Sequence, residues 1–314
     1  MNHEKLLKNL IEIKSYSGEE EKIRNYIQNW FKERGIESVV QDGNLIVHFE
    51  GKDRSKAFIF NSHMDTVSAG DLEWKYGPWT PTKKEGKLYG LGSSDMKSGK
   101  TASMLLAEKI SKTKKPPVDL WFTYVVKEEV DGSGTESFAK WFADNNYPKK
   151  YEEMAGIFTE PTSLQEIEHG HRGNIFFKAT STGDSGHASR PSKIEKHAVR
   201  EMIKFADALH TSLNTIRQEF ADNLFEPPTI GEMTSIQAGL KIKDNLIEVE
   251  SPNKFPSQCI ATFDLRTTPK FHEVAFEKIR GIGKKHGIKI EYAFNPAPAG
   301  FTNMNESIVK ITKK

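Results

Sequence analysis

Apolar residues recur at helical spacing near the start of the chain. Leu6, Leu7, Leu10 and Ile11 form one stripe and predict a helix over 4–14. Ile23, Tyr26, Ile27, Trp30 and Phe31 form a second stripe, which Gly35 stops. Between them, Ser17-Gly18-Glu19-Glu20 reads as a capping box for the second helix. The period then shortens. Asn44 to Phe49 and Ala57-Phe58-Ile59-Phe60 read as strands, and Val118 to Val126 is the strongest strand pattern in the chain. Residues 68–92 lack either period and predict an ordered loop. A helix is predicted from Asp95 to about Ile110. Another follows Ser133, with Glu136 completing a second capping box and Phe138, Trp141 and Phe142 forming its apolar face. Gly156-Ile157-Phe158-Thr159 is a further short strand.

After Gly170 the pattern changes. Strands are predicted over Asn174–Thr182, Thr229–Gln237, Gln258–Thr267 and Ile288–Phe294, with helices over Ile194–Leu213 and Phe271–His286. That order, βαββαβ, is the split ferredoxin-like unit. The expected architecture is α/β: a mostly parallel sheet formed by 1–172 with 297–314, and an inserted α+β domain over 173–296.

The chain has 314 residues, enough for about two domains at roughly 150 residues each. Hydrophobic residues make up 36% of it, enough for a core, and the net charge of +2 argues against nucleic acid or membrane as the main partner. A single cysteine, Cys259, excludes an intrachain disulfide and a thiolate metal site. There is no apolar signal core at Met1-Asn2-His3-Glu4-Lys5 and no run of ~18 apolar residues, so a cytoplasmic location is expected.

The chemistry gathers at the predicted strand ends. The run Ala57–Phe60 leads into Asn61-Ser62-His63-Met64-Asp65. Ligands bind at the carboxyl edge of open α/β sheets, and neutral imidazole oriented by a carboxylate is a common metal ligand. A solvated histidine at a capped strand end has the same local signature. Asp95, Glu128-Glu129 and Glu160 stand at other strand ends or turns, and positions 63, 95, 129 and 160 are 32, 34 and 31 residues apart. Each interval is about one βαβ unit, so parallel strands would bring all four to one edge. Carboxylates packed together repel, and one or two dications resolve that. One histidine with several carboxylates suits zinc, cobalt or manganese, which polarise carbonyls and acidify water. Glu128 and Glu129 are adjacent and point differently, so one can ligate while the other serves as base. The glycines of Gly90-Leu91-Gly92 are not followed by Lys-Ser/Thr in P-loop register, which argues against a phosphate loop.

The set of motifs resembles the metallohydrolases that include acetylornithine deacetylase, succinyl-diaminopimelate desuccinylase, aminoacylase and glutamate carboxypeptidase. The matching pieces are His63-Met64-Asp65-Thr66-Val67, Trp79, Lys87 to Lys97, Glu128-Glu129 with Gly132, Glu160-Pro161-Thr162, Gly173, Gly186-His187-Ala188-Ser189 and Asp264-Leu265-Arg266. The resemblance implies two divalent metal ions, zinc first. His63 and Glu160 would hold one, Glu129 the other, and Asp95 would bridge them. Asp65 would orient His63, and Glu128 would be general base and then acid toward the leaving amine. The inserted domain would be a lid and homodimer surface, with His187 reaching across the dimer to the reacting carbonyl oxygen. Arg266 and Asn253, the latter in Asn253-Lys254-Phe255-Pro256, would face the substrate, an N-acyl amino acid or small peptide.

The match departs from the family in two places. Leu91 stands where the family often has arginine. The family pattern continues beyond the inserted domain with a histidine for the second metal, whereas no histidine follows Ile288 here. A weakened second metal site is therefore expected. The alternative expectation is a shortened, catalytically impaired member that acts as a dimerising or binding module.

Overall fold

The computed structural model describes residues 3–71, 73–229, 233–242, 245–247 and 252–313. Two compact units make up the chain, Met1–Glu166 and Ile167–Lys314. No helix among the described residues is long and apolar enough to cross a membrane.

The first unit runs α1 (His3–Glu12), α2 (Glu21–Lys32), β1 (Val39–Gln41), β2 (Asn44–Phe49), β3 (Asp53–His63), β4 (Thr82–Lys84) and β5 (Lys87–Tyr89). It continues with α3 (Lys97–Ser111), β6 (Val118–Val125), α4 (Ser133–Asp144), α5 (Tyr147–Lys150) and β7 (Glu153–Phe158). Its main sheet has the order β1-β2-β6-β3-β7. β6, β3 and β7 are parallel, but β2 is antiparallel to β6 and β1 to β2. The sheet is therefore mixed, not mostly parallel as the sequence pattern suggested. The apolar run of β2 matches a strand buried on both faces, and such a run carries no sign of direction.

One face of this sheet packs on α1, α2 and α3 through residues such as Leu6, Ile27, Phe31, Met104, Phe122 and Tyr124. The other face packs on α4 through Trp121, Phe138 and Phe142. The stretch 68–92 is not all loop, because β4 and β5 form a small hairpin within it. Neither capping box forms. Glu20 and Gly132 occupy the N-cap positions of α2 and α4 without a side-chain cap.

The second unit runs β8 (Gly170–His171), β9 (Gly173–Thr182), α6 (Ala198–Glu219), β10 (Met233–Ile242), β11 (Asn245–Ile247), β12 (Gln258–Thr267), α7 (Pro269–Lys285), β13 (Lys289–Tyr292), β14 (Gly300–Phe301) and α8 (Ser307–Thr312). Its antiparallel sheet has the order β11-β10-β12-β9-β13. Apart from the added β11, that is the βαββαβ arrangement expected from the pattern. Phe177, Phe205, Phe263, Leu265 and Phe271 centre its core, and Cys259 is buried among them. α6 begins four residues later than the periodicity suggested, because Pro191–Lys193 takes a 3-10 turn and His197 caps the helix. Short β8 and β14 pair with each other, and Asn174 and Ala297 exchange backbone hydrogen bonds of 2.9 and 3.0 Å. These contacts lie within the second unit, Ile167–Lys314, which also includes the tail 297–314.

Candidate metal centre

Parallel pairing sets the site. His63 lies opposite Val125 of β6, and Asn61 lies opposite Phe158 of β7. The chain therefore leaves three strands at one sheet edge. It does so through Met64-Asp65 after β3, Lys127-Glu128-Glu129 after β6, and Glu160 after β7. Asp95 reaches the same place from the start of α3. A Cβ at Gly99 would collide with the Thr159 carbonyl oxygen, so only glycine lets α3 approach the turn that carries Glu160 this closely. The Asp95–Met96 peptide is cis.

The imidazole of His63 is buried, with 1% of its side chain exposed. Its Nε2 lies 3.0 Å from Asp95 Oδ1, 3.7 Å from Glu160 Oε1 and 3.9 Å from Glu128 Oε2. Its Nδ1 lies 3.2 Å from Asp65 Oδ1. One ligand atom from each of His63, Asp95 and Glu160 falls within 4.8 Å of the others. Glu129 contributes no atom to that group of three, although Asp95 lies near enough to raise its pKa.

Asp65 has no exposed surface and serves as a hub. Besides facing His63, it accepts hydrogen bonds from the Ser17 hydroxyl (2.6 Å) and the backbone N–H groups of Glu128 and Glu129 (both 3.1 Å). Burial alone would raise the pKa of such a carboxyl, but His63 and Ser17 reverse this and hold it below the usual range.

The other carboxylates lack such compensation. Burial first, then the charge of Asp95, pushes Glu129 up to about 7. Burial first, then Asp95, Glu128 and Glu129, pushes Glu160 up to about 7 as well. Glu128 rises for the same kinds of reason. Burial works to lower His63, but the neighbouring carboxylates of Asp65 and Asp95 overcome it and raise the imidazole to about 10. The centre thus concentrates negative charge around a single imidazole. A hard or borderline dication would relieve that concentration, and its donor set of one nitrogen and several carboxylate oxygens is the type that zinc, cobalt and manganese accept.

A model of peptidase family M20/M25/M40 matches residues 59–314. The chain belongs to that family. Among the relatives of this M20/M25/M40 chain is a succinyl-diaminopimelate desuccinylase of Acidovorax ebreus. It is 27% identical over 76% of this chain and 58% of its own length. An acetylornithine deacetylase of Buchnera aphidicola is 29% identical over 82% of this chain and 64% of its own. The chain thus spans less than two thirds of the length of these curated relatives. An M20-family metallo-carboxypeptidase from Sulfolobus solfataricus shares the fold, with a TM-score of 0.74 at 16% identity over 99% of this chain and 82% of its own.

The other residues singled out in this M20/M25/M40 chain lie in the second unit. His187 is exposed, and its Nδ1 accepts from the Ser189 hydroxyl (2.8 Å) and the Ser189 backbone N–H (3.2 Å). Its proton therefore sits on Nε2. The backbone carbonyl of Asn253 accepts from Ala188 N (2.6 Å) and so lies beside the His187 turn. Arg266 places two nitrogens on one oxygen of Asp264, at 2.9 and 3.1 Å, and stands over the Phe176 ring.

Four residues near the centre escaped the sequence reading. Ser17 and Glu20 look like helix caps in sequence. Lys97 and Lys100 look like solvated helix positions, yet both are fully buried. Lys97 Nζ donates to Ile13 O (2.9 Å) and lies over Trp79, and Lys100 Nζ reaches Met64 O at 3.4 Å. Burial pushes Lys97 down to about 7 and Lys100 well below the ordinary lysine value. No periodic signal marks them, because Lys97 and Lys100 fall at the turn where α3 begins.

Proposed function

We propose that this chain is a metal-dependent hydrolase that cleaves the amide bond of an N-acyl amino acid or a small peptide. The observation that carries this reading is the convergence of His63, Asp95 and Glu160 ligand atoms within 4.8 Å, with the Glu128 carboxylate 3.9 Å from His63 Nε2. His63 and Glu160 would hold one ion, Glu129 a second, and Asp95 both. Zinc fits first, and cobalt or manganese next. Such ions, when bound, polarise a carbonyl and make water more acidic.

The chain's own residues do the rest. Asp65 fixes the His63 ring by facing Nδ1, which leaves Nε2 to point at the centre. Glu128, whose pKa is raised by burial, takes the proton from water and returns it to the leaving amine. His187 would reach across a homodimer, for which the second unit serves as lid and contact surface, to donate to the developing oxyanion. Arg266 and Asn253 would meet the substrate carboxylate and its neighbouring atoms. A cytoplasmic location completes the proposal.

A second reading has a specific observation behind it. Glu129 stands outside the three-residue group, which favours a chain that holds one ion weakly and acts as a dimerising module. Metal content after incubation with zinc, cobalt or manganese, measured beside hydrolysis of N-acetyl and N-succinyl amino acids and dipeptides, separates the two. About two ions per chain with turnover supports the hydrolase. One ion or none, without turnover, supports the module.

A further inference from the structure

The turn between α1 and α2 reaches the centre by a route separate from the ligands. Ser15 O accepts from Thr66 N at 2.8 Å, just beyond His63 and Asp65. Ser17 Oγ donates to Asp65 Oδ2 at 2.6 Å. Glu20 is only 5% exposed, and its Oε1 accepts from Gly18 N (2.9 Å) and Lys127 N (3.0 Å). Lys127 has a φ of +56°, in the left-handed region that a non-glycine residue adopts only where neighbours hold it. Its carbonyl in turn accepts from Gly132 N at 2.9 Å. The next two N–H groups, of Glu128 and Glu129, end on the Asp65 carboxylate that Ser17 also holds.

We propose that Ser17 and Glu20 are positioning residues that clamp the 127–129 backbone and so set the reach of Glu128 and Glu129. Three consecutive amides are held. Glu20 takes the first directly, and Ser17 secures the acceptor of the second and third. Neither residue's side chain touches the group formed by His63, Asp95 and Glu160. The clamp acts on the two carboxylates that the proposed function uses as base and as second-metal ligand, and in that respect it rests on that reading.

The test compares Ser17→Ala, Ser17→Thr and Glu20→Gln with the unaltered protein. Amide hydrogen exchange of metal-free protein reads the clamp directly. In Ser17→Ala the Glu128 and Glu129 amides should exchange about tenfold faster, while amides within β6 keep their rates. Titration with zinc or manganese alone should show affinity roughly tenfold weaker, the low end of what losing a supporting partner costs a metal site. Ser17→Thr, which keeps the hydroxyl, should restore both. Glu20→Gln keeps one acceptor oxygen and should loosen the Lys127 amide less than Ser17→Ala loosens the following two.

Unchanged exchange at 128 and 129 in Ser17→Ala would overturn the clamp. Faster exchange with unaltered metal affinity would reduce it to a structural contact and overturn the positioning role. If the unaltered protein takes up no metal while the exchange responds as expected, the clamp stands and the hydrolase reading falls.

Discussion

The first sheet carries a histidine–aspartate pair at each of its two edges. At the carboxyl edge, His63 Nδ1 lies 3.2 Å from Asp65 Oδ1. At the opposite edge, where β6 begins, His48 Nε2 lies 3.3 Å from Asp119 Oδ2. Both aspartates are almost wholly buried. What differs is the company each pair keeps. Asp119 also accepts from Gly51 N (2.7 Å) and Tyr151 OH (2.8 Å), and His48 stacks on Trp121 at 3.9 Å between centroids. That pair is a closed polar network against an aromatic cluster. At the carboxyl edge the second imidazole nitrogen is left to Asp95, Glu128 and Glu160, three acids for one ring. A His–Asp pair is therefore not a site by itself. The surplus of unmatched carboxylates on the far side of the ring makes one of the two pairs suited to a metal.

The largest effect expected from breaking this contrast is at Glu128. Glu128→Gln should lower amide hydrolysis by about 10³-fold, within the range for loss of a general base, and leave metal content unchanged. Persistent turnover would remove Glu128 from that role. Asp119→Ala should do the reverse. It leaves Gly51 N, Tyr151 OH and His48 without their acceptor, which should cost roughly 3 kcal/mol of stability, read by denaturant unfolding, with metal affinity unchanged.

A smaller effect lies in the pH dependence of the metal-free protein. Glu129 and Glu160 have folded pKa values raised to about 7, from an ordinary carboxyl value of 4.5. The folded state therefore binds more protons than the unfolded one in that interval. Their contribution to stability is fully present below about pH 4.5 and is lost as pH rises through 7. Melting curves of the protein and of a Glu129→Gln/Glu160→Gln variant should diverge in slope across pH 4.5–7. Parallel curves would show that the two carboxyls are not perturbed.

The smallest effect is spectroscopic, and it sharpens the comparison most. Burial lowers His48 despite the opposing charge of Asp119, whereas His63 rises to about 10. His48 stabilises the fold as a neutral ring, so its contribution is present above pH 6.5 and lost as pH falls through its lowered value. The His63 contribution is present below 6.5 and lost as pH climbs through about 10. Imidazole proton shifts followed by NMR in metal-free protein should show His48 titrating below 6.5 and His63 still protonated at pH 8. Titration of both rings near 6.5 would erase the distinction.

Much of this arrangement was legible in the chain. The apolar run before His63 is β3 and the βαββαβ order is β9-α6-β10-β12-α7-β13, whereas Asp95 stands before α3, after the β4–β5 hairpin, and not at the end of a strand. Local patterning fails where a residue finds a better partner far away. Ser17-x-x-Glu20 has the letters of a capping box, yet Ser17 bonds Asp65, 48 residues on, and Glu20 reaches Lys127 N, 107 residues on. Strand direction was also hidden. The apolar run of β2 is the same whether it runs with β6 or against it, so the mixed sheet could not be read from it. Lys97 and Lys100 were invisible because lysine is almost never fully buried. Partners distant in sequence take them out of water, Ile13 O and the Trp79 ring for Lys97 and Met64 O for Lys100.

The bridge between Asn174 and Ala297 bears on how the second unit is closed. The backbone enters and leaves the βαββαβ fold at adjacent residues that hydrogen-bond each other. In polymer terms, the intervening ~120 residues demand of their flanks little more than a tight turn would, because the closure is made within the unit and the cost of long loops grows only slowly with length. The strands and helices from β9 to β13 therefore close on themselves at their base, and β8, β14 and α8 belong to the same unit, so the ends of the fold are stitched by their own pairings and not by the chain that leads to them.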